Sequence, residues 1–591
     1  MIPLLGSTAL NVIRYPENAH RIVKKAALEL QKYLYKITGE KLDVECGGAA
    51  EGSFFLQESA ERDYPENKFD RASVRAENGC VIFSGENFRS VLYSVYDFLQ
   101  DRCGVRFFAP GEAFEHIEKQ DLVLPEDLCC RYGSAVEFRD FVNRTNHPEV
   151  LSFAAKNRIN SILGCGPWVN GSDGCSVENA ELIHSAGLMV RGPGHSWKHF
   201  VPDASLFETH PEYFPMFHGE RKPNGRTACF SNPAVRKIFQ EKLRAYLQAH
   251  PYWDIFAFWA EDVPDHVYCD CPECRKKNVT DWYLTLVNES AQTVAELLPE
   301  TRFEFILYQA TLTLPETTEA LYRNGENMLV NFCLGQRRDI FYPLDALTKN
   351  NTDLMTQYRT WSDALKKLDY RGKMIVMDYY NLCEYPNTNP AARALLWPLD
   401  LIAQDTRFFH KNGIDGFGAF TGFDRLCFPD PLNLWYRIRI WNDPSLEPED
   451  LKQDFYTKFF SRNGAAIRDW SEKRNALMRD ADNAENIAAL EAMKNDLPDT
   501  GDAFKTAVIL CHLDYAILLK KMFRAYREND RAGWEKLKTA EYLVFQENNR
   551  GILEKAVAPF PMLWFQFLVR YIGWRDDGSR IEFRETYRDT L

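Results

Sequence analysis

From about residue 134 one pattern recurs along the chain: a short apolar run, a polar loop, then a stretch with helical spacing. Eight such runs can be read: AVEFRDFV (135–142), RINSILG (158–164), GLMVRGPG (187–194), DIFAFWA (254–260), RFEFILY (302–308), NMLVNFCL (327–334), KMIVMDY (373–379) and DGFGAFTG (415–422). The helical stretch DWYLTLVNESAQTVAELL (281–298) turns Trp282, Leu286, Val287, Val294 and Leu298 inward. Eight parallel strands with intervening helices are the arithmetic of a (β/α)8 barrel of the TIM type, so an α/β fold is expected over residues 131–440.

Different patterns flank this repeat. Residues 20–38 place Val23, Ala27, Leu30, Leu34 and Ile37 at helical spacing, closed by Gly39. CVIFSG (80–85) alternates as a strand and leads into a helix with Val91, Leu92, Val95, Phe98 and Leu99 on one face, ended at Gly104. GVRFFAP reads as a further strand, which makes residues 1–130 a small α/β domain with its own core. After residue 440 strand signals stop. Residues 505–526 and 533–546 are helix-patterned, with Leu510, Leu513, Ile517 and Leu518 along one stripe. Residues 441–591 are therefore expected to be an α-helical domain, packed against the barrel or serving to dimerise it. Three domains are also what 591 residues lead one to expect.

Bulk properties exclude several partners. The net charge is −13 and no Lys/Arg-rich stripe appears, which argues against nucleic acid. No apolar run approaches the ~20 residues of a membrane span. Aromatic residues reach 14%, which suits both stacking on sugar rings and thick cores. The start of the sequence lacks the basic and apolar regions of a secretory signal, and 15 scattered cysteines suit a reducing compartment. A cytoplasmic location is expected, or a secreted one if a leader has been trimmed.

In such a barrel the chemistry sits where the C-terminal strand ends converge. The fourth strand runs straight into two adjacent carboxylates, Glu261 and Asp262. A carboxylate pair at the mouth of a buried strand suits acid/base work on a glycosidic bond. The alternative is a helix N-cap with a solvated neighbour. The third strand delivers His195 and the fifth Tyr308; the sixth is followed by Arg337 and Arg338. The seventh delivers Asp378, Tyr379 and Tyr380, and the eighth is followed by Asp424. His195 reads equally as a loop histidine with a structural hydrogen bond, and Asp378 as half of a buried salt bridge. No serine nucleophile elbow or glycine-rich phosphate cradle is present.

Cys269, Cys271 and Cys274 have the C-x-C-x-x-C spacing with which three thiolates can meet one metal, His266 or a distant cysteine completing a structural zinc site. The other reading is a packed loop of free thiols. No catalytic metal is expected, because the usual His ligands are missing.

Several of these blocks are also familiar. SVLYSVYDFLQDRCGVRFFAPGE (90–112) resembles the end of the N-terminal α/β domain that precedes the barrel in family 20 hexosaminidases and family 67 α-glucuronidases. PEYFPMFHGERKPNGRTACFSNPAV (211–235), the cysteine motif and LNLWYRIRIWNDPSLEPEDLKQDFYTKFF (432–460) are similar to the domain-of-unknown-function 4838 family. That family includes the family 163 glycoside hydrolases, endo-acting β-N-acetylglucosaminidases on N-glycans. The resemblance covers roughly residues 20–460.

It implies a glycoside hydrolase with a carbohydrate substrate and no required cofactor. In family 20 an Asp-Glu pair ends the fourth strand, the Asp orienting the 2-acetamido group and the Glu protonating the leaving oxygen. Here the types are reversed, so position makes Glu261 the orienting residue and Asp262 the acid. Family 67 enzymes carry a lone Glu there as acid, so either residue fits, and the longer reach of Glu261 favours it. Tyr379 matches a family 20 Tyr that holds the acetamido carbonyl. The favoured reading is a retaining, substrate-assisted β-N-acetylglucosaminidase-type enzyme. The alternatives are an inverting hydrolase of uronic-acid glycosides, with Glu261 as acid, Asp378 as base and Arg337 or Arg338 on the sugar carboxylate, or an inactive carbohydrate-binding barrel.

Overall fold

A six-stranded mixed sheet organises the N-terminal part of the chain: β1 (Val12–Tyr15), β2 (Asp43–Cys46), β3 (Ser53–Glu58), β4 (Phe69–Glu77), β5 (Cys80–Gly85) and β6 (Cys129–Ser134), in spatial order β6-β4-β5-β3-β1-β2. The computed structural model describes residues 2–59, 64–65, 68–142, 146–164, 176–263, 267–316, 327–334, 349–367, 370–378, 399–420, 431–555, 573–574 and 579–581. Helices α1 (Arg21–Thr38) and α2 (Phe88–Arg102) bury their apolar faces in the core they share with this sheet. Gly39 ends α1 in the left-handed region at φ 82°, its N–H returning to the Tyr35 carbonyl, as its place after the last apolar residue requires. Asn87 caps α2 by accepting from the Ser90 N–H.

The strand expected in GVRFFAP shrinks to Arg106–Phe107. Two adjacent rings explain why. Phe107 packs edge-on against Tyr33 and Tyr96 in the N-terminal core. Phe108 points the other way, against Trp435, Phe455 and Phe459. The segment is a short strand, paired antiparallel with Glu115–His116, that runs out into a wedge between two cores.

All eight apolar runs of the repeat form strands: β7 (Phe138–Val142), β8 (Ser161–Leu163), β9 (Met189–His195), β10 (Ile255–Trp259), β11 (Arg302–Leu307), β12 (Met328–Cys333), β13 (Lys373–Asp378) and β14 (Gly416–Phe420). They pair in parallel and in sequence order, and β14 closes on β7. At the seam a Cβ on Gly416 would lie 2.5 Å from the Phe138 carbonyl oxygen, so only glycine lets the two strands meet there. Helices α3 (Pro233–Ala249) and α4 (Val279–Leu297) flank β10 in sequence and pack on each other.

The barrel interior is layered. Phe138, Met189, Ile255, Leu329 and Ile375 form an apolar floor. Above it Arg191 is gripped by both Glu304 oxygens, at 2.6 and 2.7 Å, and by Asp140. A second apolar layer of Leu163, Ala257, Trp259, Ile306, Cys333 and Met377 closes over this buried charge.

After the barrel come α5 (Pro431–Asn442) and further helices, the longest being α6 (Ala503–Arg527). The residues expected to form one helix over 533–546 are helical but pass through a π turn at Leu537–Glu541. Leu513, Ile517 and Leu518 of α6 share a core with Phe108, Ile402 and Trp435, so the C-terminal helices pack onto the wedge and the outer barrel. Among the described residues no helix is long and apolar enough to cross a membrane.

Candidate active site

Strand alternation decides which side chains reach the barrel mouth. On β10, Ile255, Ala257 and Trp259 face the lumen, while Phe256 and Phe258 lie in the outer core. Glu261, two residues beyond Trp259 and past the end of β10, is half-buried. Its Oε1 accepts the backbone N–H of Lys198 at 3.1 Å. Asp262, also half-buried, accepts from the Gln309 amide at 2.8 Å.

The end of β9 brings His195 beside them. Its Nδ1 bonds the Ala260 carbonyl. A carbonyl can only accept, so Nδ1 carries the proton. The ring meets Trp259 edge-on at 5.2 Å and lies 6.3 Å from Tyr308. Beneath, the Trp259 indole N–H donates to Glu304 at 2.8 Å, and Asn331 donates to the same oxygen at 2.9 Å. The buried ion cluster thus anchors the aromatic floor of the mouth. Within it, burial and the neighbouring Glu304 push the Asp140 carboxyl up against the pull of Arg191, whose guanidinium the two carboxylates hold firmly charged.

The strand ends therefore bring together Glu261, Asp262, His195 and Tyr308, as expected, with two partners the sequence did not single out. Lys198 contributes only its backbone, which no side-chain motif announces. Gln309 follows Tyr308 directly and has a left-handed backbone, φ 49°. Left-handed geometry in a non-glycine residue is uncommon and gathers at functional sites. Here it accompanies an amide aimed at Asp262.

Asp378 takes a different place from the one expected. Its neighbour Met377 faces the lumen, so Asp378 faces the helix layer, where its carboxylate pairs with fully buried Arg437 of α5 at 3.0 Å. The salt-bridge reading is the one the geometry supports, with an arginine from α5 rather than Arg337 or Arg338. Arg337, Arg338, Tyr379, Tyr380, Asp424 and His266 lie outside the described residues.

The cysteine motif gathers beside the mouth. Cys269, Cys271 and Cys274 are joined by Cys229 from the segment before α3, and the four sulfurs lie within 4.8 Å of one another. Cys229 is the distant cysteine whose position the spacing left open.

The family described as a domain of unknown function, DUF4838, matches residues 115–472, more than half of the chain. The chain belongs to the DUF4838 family. No curated protein matches this DUF4838 protein. Among solved structures it is similar to a family GH115 4-O-methyl-α-glucuronidase with specificity for decorated arabinogalactans: TM-score 0.58, 10% identity, 96% of this chain and 80% of that one. It is also similar to the family 89 glycoside hydrolase of Clostridium perfringens in complex with its substrate GlcNAc-α-1,4-galactose: TM-score 0.54, 12% identity, 96% and 72% covered. The same enzyme in complex with 2-acetamido-1,2-dideoxynojirimycin aligns with TM-score 0.52, at 12% identity over 96% and 72%. Identities this low establish a shared fold, with domains before and after the barrel.

Proposed function

We propose that this protein is a glycoside hydrolase that cleaves 2-acetamido-2-deoxy-β-glycosides in glycans with retention of configuration. The observation that carries the reading is the Glu261–Asp262 pair at the end of β10, half-buried above Trp259 and held by donors from the two neighbouring strand ends. Tyr308 and His195 give the same mouth a ring-lined wall on which a sugar can stack. The family 89 neighbour, solved with its substrate GlcNAc-α-1,4-galactose, supports the 2-acetamido sugar, while the β linkage rests on the resemblance given by the sequence.

Glu261 is the proton donor, its side chain having the longer reach of the pair. Its proton passes to the glycosidic oxygen as the bond to the anomeric carbon breaks. Asp262, oriented by Gln309, holds the N–H of the 2-acetamido group. The acetamido oxygen then attacks the anomeric carbon and closes an oxazolinium ring. Glu261, now ionised, takes a proton from water, which opens the ring from the face the leaving group vacated. Two displacements at one carbon leave the configuration unchanged. The inverting course through Asp378 has no support, because that carboxylate is committed to Arg437.

A thiazoline mimic of the cyclised intermediate tests the reading. It copies the ring and charge the pocket must stabilise best, so it should inhibit hydrolysis of an aryl 2-acetamido-2-deoxy-β-glucoside far more tightly than the substrate binds. Hydrolysis that the thiazoline leaves untouched would contradict substrate assistance.

A further inference from the structure

The four-cysteine cluster has no part in the chemistry proposed for the mouth, yet it is more ordered than packed thiols need to be. Cys229, Cys271 and Cys274 are buried and Cys269 is half-buried. Cys229 Sγ lies 3.6 Å from Cys271 Sγ and 3.8 Å from Cys274 Sγ. A disulfide needs ~2.05 Å. A tetrahedral metal with metal–sulfur bonds of ~2.3 Å holds its ligand sulfurs ~3.8 Å apart.

The sulfurs also receive the hydrogen bonds that thiolates attract. The Met216 N–H donates to Cys269 Sγ at 3.3 Å, and the Cys274 N–H donates to Cys271 Sγ at 3.4 Å.

The geometry points to a structural zinc site formed by Cys229, Cys269, Cys271 and Cys274. Soft thiolates select zinc over hard cations, and four protein ligands close the coordination sphere, so the ion holds structure and binds no substrate. Its position gives it a task. Cys229 belongs to the excursion between β9 and α3, and the other three cysteines belong to the loop that begins with Glu261 and Asp262. Hydrogen bonds join the same two segments: the Asp270 N–H to the Met216 carbonyl at 2.9 Å, and the Thr227 hydroxyl to the Val267 carbonyl at 2.9 Å. From the far side the Trp282 indole of α4 bonds the Cys274 carbonyl at 2.9 Å. The ion staples the two excursions together and fixes the loop that carries the carboxylate pair.

Elemental analysis of the full chain, purified without chelator, tests the site independently of any activity. About one zinc per chain is expected. X-ray absorption should show four sulfurs at ~2.3 Å. Exchange for cobalt should give the intense ligand-field bands of a tetrahedral tetrathiolate. Cys229→Ser should lower zinc retention at least tenfold, whereas Cys46→Ser, at an exposed cysteine outside the cluster, should retain it. A folded wild-type protein that neither carries nor takes up zinc would overturn the proposal. So would bound iron in place of zinc, or a zinc shell with fewer than four sulfurs. The spectroscopy uses wild-type protein, so the test stands even where Cys229→Ser does not fold.

Discussion

At the scale of single residues, their partners separate carboxylates that look alike in the sequence. Glu261 and Asp262 lie past the end of β10 and accept from Lys198 and Gln309, whereas Asp378 ends β13 and meets Arg437 of α5. The pair and Asp378 should respond differently to loss of charge. Glu261→Gln and Asp262→Asn should each lower kcat by ~10²-fold or more with unfolding unchanged, because each removes a group that acts on the reacting atoms. Asp378→Asn should leave the folded enzyme within a few-fold of wild type, yet destabilise it by ~3–5 kcal/mol, because it breaks a buried ion pair with Arg437. Rates and urea unfolding measured on the same preparations decide the matter. Asp378→Asn collapsing turnover at full stability would restore it to the chemistry. Glu261, Asp262, His195 and Tyr308 could be placed at one mouth because strand ends are legible from apolar runs. Lys198, which meets Glu261 through its backbone, and Cys229, which folding brings to the other cysteines from the segment before α3, could not.

At the scale of elements, the long buried strands were the legible ones. The barrel strands are largely apolar on both faces, since lumen and helix layer both exclude water, so each stands out as a mostly apolar run. Strands β1 and β2 did not stand out. β2, DVEC, is an edge strand with three exposed positions, and it carries almost no burial signal. The strand expected in GVRFFAP is present but short. It pairs only over Arg106–Phe107, because the adjacent rings of Phe107 and Phe108 each satisfy a different core. The polar layer inside the barrel was illegible for a related reason. Asp140, Arg191 and Glu304 are scattered one to a strand, and only closure of the barrel shows that they form one buried cluster.

At the scale of the whole molecule, a buried carboxylate is one of the groups that join the N-terminal sheet to the barrel. Asp70 at the start of β4 pairs with Arg139 of β7 and with Arg89 of α2, and accepts from the Asn160 amide at 3.1 Å. Burial by itself would raise the Asp70 pKa, but Arg89, Arg139 and Arg158 outweigh it and hold the carboxyl well below the usual range. Its folded pKa lies below its unfolded one, so this stabilisation is complete above pH ~4 and fades as acid protonates the group. Asp70→Asn should therefore destabilise the protein by ~3–5 kcal/mol at neutral pH. Measured by urea unfolding, the gap from wild type should narrow below pH ~4. A gap that stays constant into acid would mean that the charge of Asp70 does not hold this interface. The central claim concerns the mouth this architecture supports, and its most direct measurement follows the first-formed product anomer by proton NMR during hydrolysis of an aryl 2-acetamido-2-deoxy-β-glucoside. Substrate assistance by the acetamido group predicts that the β-anomer appears first and that Glu261→Gln abolishes its appearance; a first-formed α-anomer would contradict the account.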